Sequence, residues 1–168
     1  MTSRAELVQK IQTAFNNVKL EDGIGLWEAE GLDNYADEET MMQLRAKDER
    51  MNWENLSYQE LAKCESALAF FDAKGMRFCL PIFLIFDLLE TEILQEQNLP
   101  SPEVVFTLTH DLHSEYQLSR FSLFNSNQIE CIIEFLNYKL KNGASNENDY
   151  FDKQLKDGLI FWSTKLDN

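Results

Sequence analysis

The residue types able to carry out chemistry are few and widely spaced. Cys64, Cys79 and Cys131 each lie in an apolar stretch, where burial raises a thiol's pKa and hides it from substrate. No two of them form a Cys-x-x-Cys pair and none clusters with His110 or His113, so reduced, buried thiols are expected. His110 and His113 would share a face on a helix and could contact a metal there, but two ligands do not close a site and no third stands at a fixed spacing. Asp33, Asp37 and Glu38 offer hard oxygen ligands without the spaced Asp/Asn-Gly-Glu loop of a calcium hand. Gly23-Ile24-Gly25 is not followed by the Lys-Ser/Thr of a phosphate loop. Arg77 is the one charge entering the apolar run 78–86, and is expected to cap helix carbonyls or to pair with an acid such as Asp72. No cofactor, metal or catalytic constellation is expected.

Charge is the stronger signal. The 168 residues carry 29 acids against 15 lysines and arginines, a net charge of −14. Residues 21–60 hold twelve of the acids and only Arg45, Lys47 and Arg50 as bases, so −9 of the −14 falls in this segment. Nucleic acid and anionic membrane would be repelled by it, whereas a basic protein would be attracted and its association accelerated. Trp27, Tyr35 and Trp53 lie among these carboxylates, and aromatic anchors ringed by charge are what a protein-binding surface tends to contain. The residues expected to meet a partner are Trp27, Glu28, Glu30, Asp33, Tyr35, Asp37, Glu38 and Glu39. A solvated, solubilising face is the simpler alternative, and Trp53 reads as a core anchor.

The elements that must position these residues are mainly helical. Ser3 and Glu6 fit a capping box ahead of a helix over about 3–18. Gly23 and Gly25 break the pattern, and Ile24, Leu26 and Trp27 read as a loop pinned to the core. A second helix is expected over about 37–47, with Met41, Met42 and Leu44 inward. Ser57 and Glu60 open another, carrying Leu61, Cys64, Leu68 and Phe71 and ending at Gly75 as its C-terminal glycine. Pro81 then suits the first turn of a helix over about 81–95, apolar nearly all round and therefore central. Residues 104–112 are ambiguous: Val104, Val105, Thr107 and Thr109 favour a strand, whereas Ser101 and Pro102 favour a helix start. Helices over about 126–141 and 149–164 follow, separated by a polar loop at 142–148. The sum is a mainly α, single globular domain of six to seven helices spanning residues 1–168. The start lacks the apolar core of a signal peptide, and the run 78–86 is too short to cross a bilayer.

The central portion resembles an uncharacterised bacterial family of unknown function. The matching pieces are Gly23-Ile24-Gly25-Leu26-x-Glu28-Ala29, Asp33-x-Tyr35, Asp48-Glu49 with Trp53, and Phe70-Phe71-Asp72-Ala73-x-Gly75-Met76-Arg77-Phe78-x-Leu80-Pro81. They cover roughly residues 8–90, with a weaker tail. Cys79 stands where the pattern carries a histidine, and Trp27 where relatives look polar. The resemblance implies no activity.

Small size, an acidic face and the lack of a catalytic constellation make a cytoplasmic binding protein the leading expectation. Its form would be an immunity protein that neutralises a bacterial toxin, a basic nuclease effector being the partner such a face fits. The alternative is a small enzyme or ligand-binding domain with a pocket around Arg77, Asp33 and Tyr35; a subunit of a homo-oligomer is a third.

Overall fold

A computed structural model of the chain describes residues 2–89, 91–143 and 149–167. It is mainly helical, as the periodicity implies, and no strand occurs among the described residues. The described residues form ten α-helices rather than six or seven: α1 (Arg4–Ala14), α2 (Leu26–Asp33), α3 (Glu38–Lys47), α4 (Tyr58–Lys63), α5 (Ala73–Asp87), α6 (Thr91–Glu96), α7 (Val104–Thr109), α8 (Glu115–Arg120), α9 (Ser126–Asn142) and α10 (Asp149–Leu166). The excess is α2, of eight residues, and α6 and α8, of six each, too short for a periodic pattern to register.

Helix α5 is the centre of the fold. From Phe78 to Asp87 every residue is buried, so neighbours cover it on all sides: α1, α7, α8 and the 3-10 turn Trp53–Asn55 pack against it. Its boundaries differ from the expected 81–95. Asp72 caps the helix, accepting a hydrogen bond from the Gly75 N–H at 2.8 Å, which moves the start back to Ala73 and leaves Pro81 in the helix interior. A proline there removes one backbone hydrogen bond; the burial of residues 82–86 holds the helix together across it. The Ser57–Glu60 capping box forms, but α4 stops at Lys63, and Gly75 sits in the first turn of α5 instead of ending the helix before it.

The reason for glycine at 75 is close approach. A Cβ there would stand 2.1 Å from the Ile24 carbonyl oxygen, because the Gly23-Ile24-Gly25 loop lies directly on the first turn of α5. Asp72 Oδ1 fastens the two, accepting also from the Ile24 N–H at 3.0 Å.

The C-terminal half wraps this centre. Helices α9 and α10 pair, α1 packs on α9, and α10 packs on α7. Trp162 is fully buried and its indole N–H donates to the Leu108 carbonyl at 2.9 Å, while Leu155 is buried and Phe151 and Leu159 are half-buried. The ambiguous segment is helical: the Thr107 and Thr109 hydroxyls donate to the Glu103 and Val105 carbonyls, so neither is left unpaired where the helix packs on the core. The helix starts at Val104, two residues later than Pro102 suggested. The polar loop expected at 142–148 falls largely outside the described residues. Trp53 is a core anchor, 2% exposed, donating to the Phe15 carbonyl. Met41 is buried and Leu44 half-buried, but Met42 faces out at 63% exposure. Among the described residues no helix is long and apolar enough to cross a membrane.

Candidate functional site

The segment read as a loop before residue 33 contains helix α2, and α2 packs on α3 as a hairpin that carries the acids. Its base is closed by the acids themselves. Gly25, the N-cap of α2, has no side chain to offer the helix's free N–H groups. Asp48, the C-cap of α3, supplies the acceptor: its carboxylate takes the Trp27 N–H at 2.7 Å and the Glu28 N–H at 3.4 Å. A Cβ on residue 25 would lie 2.3 Å from Asp48 Cγ, so glycine is what lets the carboxylate reach. Glu28, 8% exposed, pairs with Arg45 at 2.7 Å. Lys47 Nζ lies 3.2 Å from the centroid of the Trp27 ring, and the indole N–H donates to Glu60 at 3.4 Å.

Asp48 is only 8% exposed, and burial pushes its carboxyl up to about 6 from an ordinary 3.8, against the pull of the two N–H bonds. A carboxyl whose folded pKa lies above its unfolded one stabilises the fold while protonated. That contribution is complete below about pH 4 and is lost as the pH rises through about 6. Compared with Asp48→Asn, the wild-type protein is therefore expected to lose relative stability between about pH 4 and about pH 7, by up to roughly 3 kcal/mol. Urea unfolding of both proteins across that range measures it; a pH-independent difference would put Asp48 back at its ordinary pKa.

The tip of the hairpin is different. Helix α2 ends with the Ala36 N–H bonded to the Gly31 carbonyl at 2.9 Å and the Tyr35 N–H to the Leu32 carbonyl at 3.3 Å. This is the helix ending that usually has glycine in the left-handed position. Tyr35 occupies it, with φ of 51°, and its side chain is 95% exposed. A non-glycine residue in this conformation costs on the order of 1–2 kcal/mol, and a side chain so exposed offsets none of that by packing. Tyr35→Gly is accordingly expected to raise the unfolding free energy by about 0.5–1 kcal/mol, after allowance for glycine's larger unfolded-state entropy. Chemical denaturation checks this; a loss of stability would mean that Tyr35 supports the hairpin.

Asp37, Glu38 and Glu39 follow, all exposed. Asp37 caps α3 and is held below its ordinary pKa by Thr40, whose N–H it accepts at 2.8 Å. Among the described residues no ion pair includes Asp33, Asp37, Glu38 or Glu39. The eight residues singled out from the sequence thus divide. Tyr35, Glu38 and Glu39 stand free at the tip, with Asp37, engaged as the cap of α3, and half-buried Asp33 beside them. Trp27 and Glu28 are engaged at the base, and Glu30 accepts from the Asn34 side chain at 3.1 Å.

Arg77, Asp33 and Tyr35 do not share a pocket. Arg77 lines a shallow polar hollow with Lys19, Glu21 and Gln128; Asp33 lines a cavity between α2 and α7; Tyr35 projects into solvent. Arg77 makes neither of the expected contacts, its buried Nε having no hydrogen-bond partner. The cysteines are free and buried. Burial pushes the Cys64 thiol up to about 12, Cys131 to about 11 and Cys79 well above its ordinary value. His110 stacks on Phe106 and His113 meets Phe161 edge-on, and no group of three His, Cys, Asp or Glu among the described residues could hold a metal. The inward role of Asp48 escaped sequence reading, which counted it with the surface acids. Its one signal is a side-chain-free N-cap that needs an acceptor from elsewhere.

The chain belongs to a family of unknown function (DUF6714), whose pattern matches residues 3–165. The match extends well past the 8–90 that carries the recognisable motifs and takes in α9 and α10. No curated protein and no solved structure matches the chain.

Proposed function

We propose that the protein is a binding protein whose α2–α3 tip docks a basic protein partner, acting as a cytoplasmic immunity protein that neutralises a bacterial toxin such as a nuclease. One observation carries the reading: Tyr35 is held in a strained left-handed conformation, almost fully exposed, beside acids with no ion pair of their own. Backbone strain of this kind concentrates at ligand clamps and other functional sites, and a rigid aromatic amid charge is what an interface anchor requires. The unpaired carboxylates draw the cationic partner in; the ring holds it.

The test is association with the product of the adjacent gene at two salt concentrations. Reversing Glu38 and Glu39 to lysine should slow association by tenfold or more at low salt and flatten its salt dependence. Tm should barely move, because exposed charges contribute little to stability. An unchanged on-rate in the double variant would refute the acidic tip as the docking face.

A further inference from the structure

We infer that the cavity beside Asp33 is a receptor for a cationic side chain with an apolar stem, an arginine or lysine of the partner that the tip attracts; this rests on the docking reading above. The cavity measures about 440 Å³, within the range of specific ligand sites. Its floor and walls are aromatic and apolar, with Phe70, Phe83, Phe86 and Phe106 among them, and three carboxylates line it: Asp33, Glu65 and Glu103. No lysine or arginine does. Arg120 donates to the Leu68 and Phe71 carbonyls and to the Gln117 side chain, so its donors are already engaged.

Three features select the occupant. The carboxylates exclude anions and favour a cation. The phenylalanine faces accept either a methylene stem or the cationic head itself. Phe106 is 51% exposed, stacked on His110 with ring centroids 4.4 Å apart, an apolar wall standing in water until something covers it. Asp33 belongs to this cavity and lies two residues from Tyr35, so one partner segment can reach both. The larger groove between α1 and α9, about 730 Å³, lacks this character: its Glu134 is engaged by Lys10 and Thr2.

The experiment uses the full chain, 15N-labelled, titrated with 4-phenylbutylamine as the cation, 4-phenylbutanol as its neutral analogue and 4-phenylbutyrate as the anion. The amine should give saturable amide shifts at Ala62, Ser66, Phe106 and Thr107, binding at least tenfold more tightly than the alcohol, and the carboxylate should give none. Glu65→Gln and Glu103→Gln should each weaken the amine about threefold or more, whereas Glu54→Gln, away from the cavity, should not. Equal binding of amine and alcohol, or no saturable shift, overturns the proposal. The probe needs no partner protein, so its failure removes the cavity alone. Failure of the Glu38 and Glu39 reversal would remove the docking face and leave amine binding untouched. With both intact, the Glu65→Gln/Glu103→Gln double variant should speed dissociation of the protein complex tenfold; an unchanged off-rate would rule out a partner side chain as the occupant.

Discussion

Phe78→Ala is expected to lower the free energy of unfolding by about 3–5 kcal/mol, the range for deleting a fully buried aromatic side chain. Phe78 is 0% exposed and lies where α5 enters the core. The loss combines the transfer free energy of the ring with a cavity that cannot collapse, because neighbours on every side of α5 hold the walls apart. Against a total stability of about 5–15 kcal/mol for a typical domain, such a loss is a large fraction. Urea unfolding gives the value directly. A change below about 1 kcal/mol would place α5 at the surface and overturn the architecture.

Gly75→Ala is expected to cost about 3 kcal/mol, at the upper end for overpacking. The added Cβ would meet the Ile24 carbonyl oxygen at 2.1 Å. Backbone cannot rotate aside as a side chain can, so the Gly23–Gly25 loop must lift from α5. Lifting it breaks the Ile24 N–H bond to Asp72 and disturbs Gly25, against which Asp48 rests. The expected signature is therefore double: lower stability, and increased hydrogen exchange at the Trp27 and Glu28 amides that Asp48 holds. A variant as stable as wild type would show the contact to be loose.

Helices with long apolar periods were readable: α1, α3, α9 and α10 fall within a few residues of where spacing and caps put them, because a capping residue plus a periodic face is local information. The centre of α5 was equally plain from its unbroken apolar run, but its start was not. Asp72 caps through the Gly75 N–H three residues on, but Gly75 reads as a terminator until its contact with the Ile24 loop, 51 positions away in sequence, is known. Gly75 and Pro81, each a usual boundary marker, both lie inside the helix, where tertiary packing overrides local preference. Helix α2 was missed for a related reason: its capping acceptor is Asp48, on another element. At the site, charge density located the hairpin but could not divide it. Glu28 and Glu39 look alike in sequence; one is buried against Arg45 and the other is free in solvent. Asp33 ends α2, Phe83 and Phe86 lie on α5 and Phe106 on α7, while Glu65, Phe70 and Glu103 stand in the segments between helices; no spacing along the chain announces their convergence.

The most direct test of the docking reading is the dissociation rate of Tyr35→Gly from the product of the adjacent gene, measured by a surface-binding assay on protein shown to be folded. Glycine relaxes the backbone and removes the ring, so stability and binding should move in opposite directions. The expected result is a Tm at or above that of wild type together with an off-rate raised at least tenfold, about 1.4 kcal/mol of lost binding energy. A more stable Tyr35→Gly protein that releases its partner no faster than wild type would contradict it.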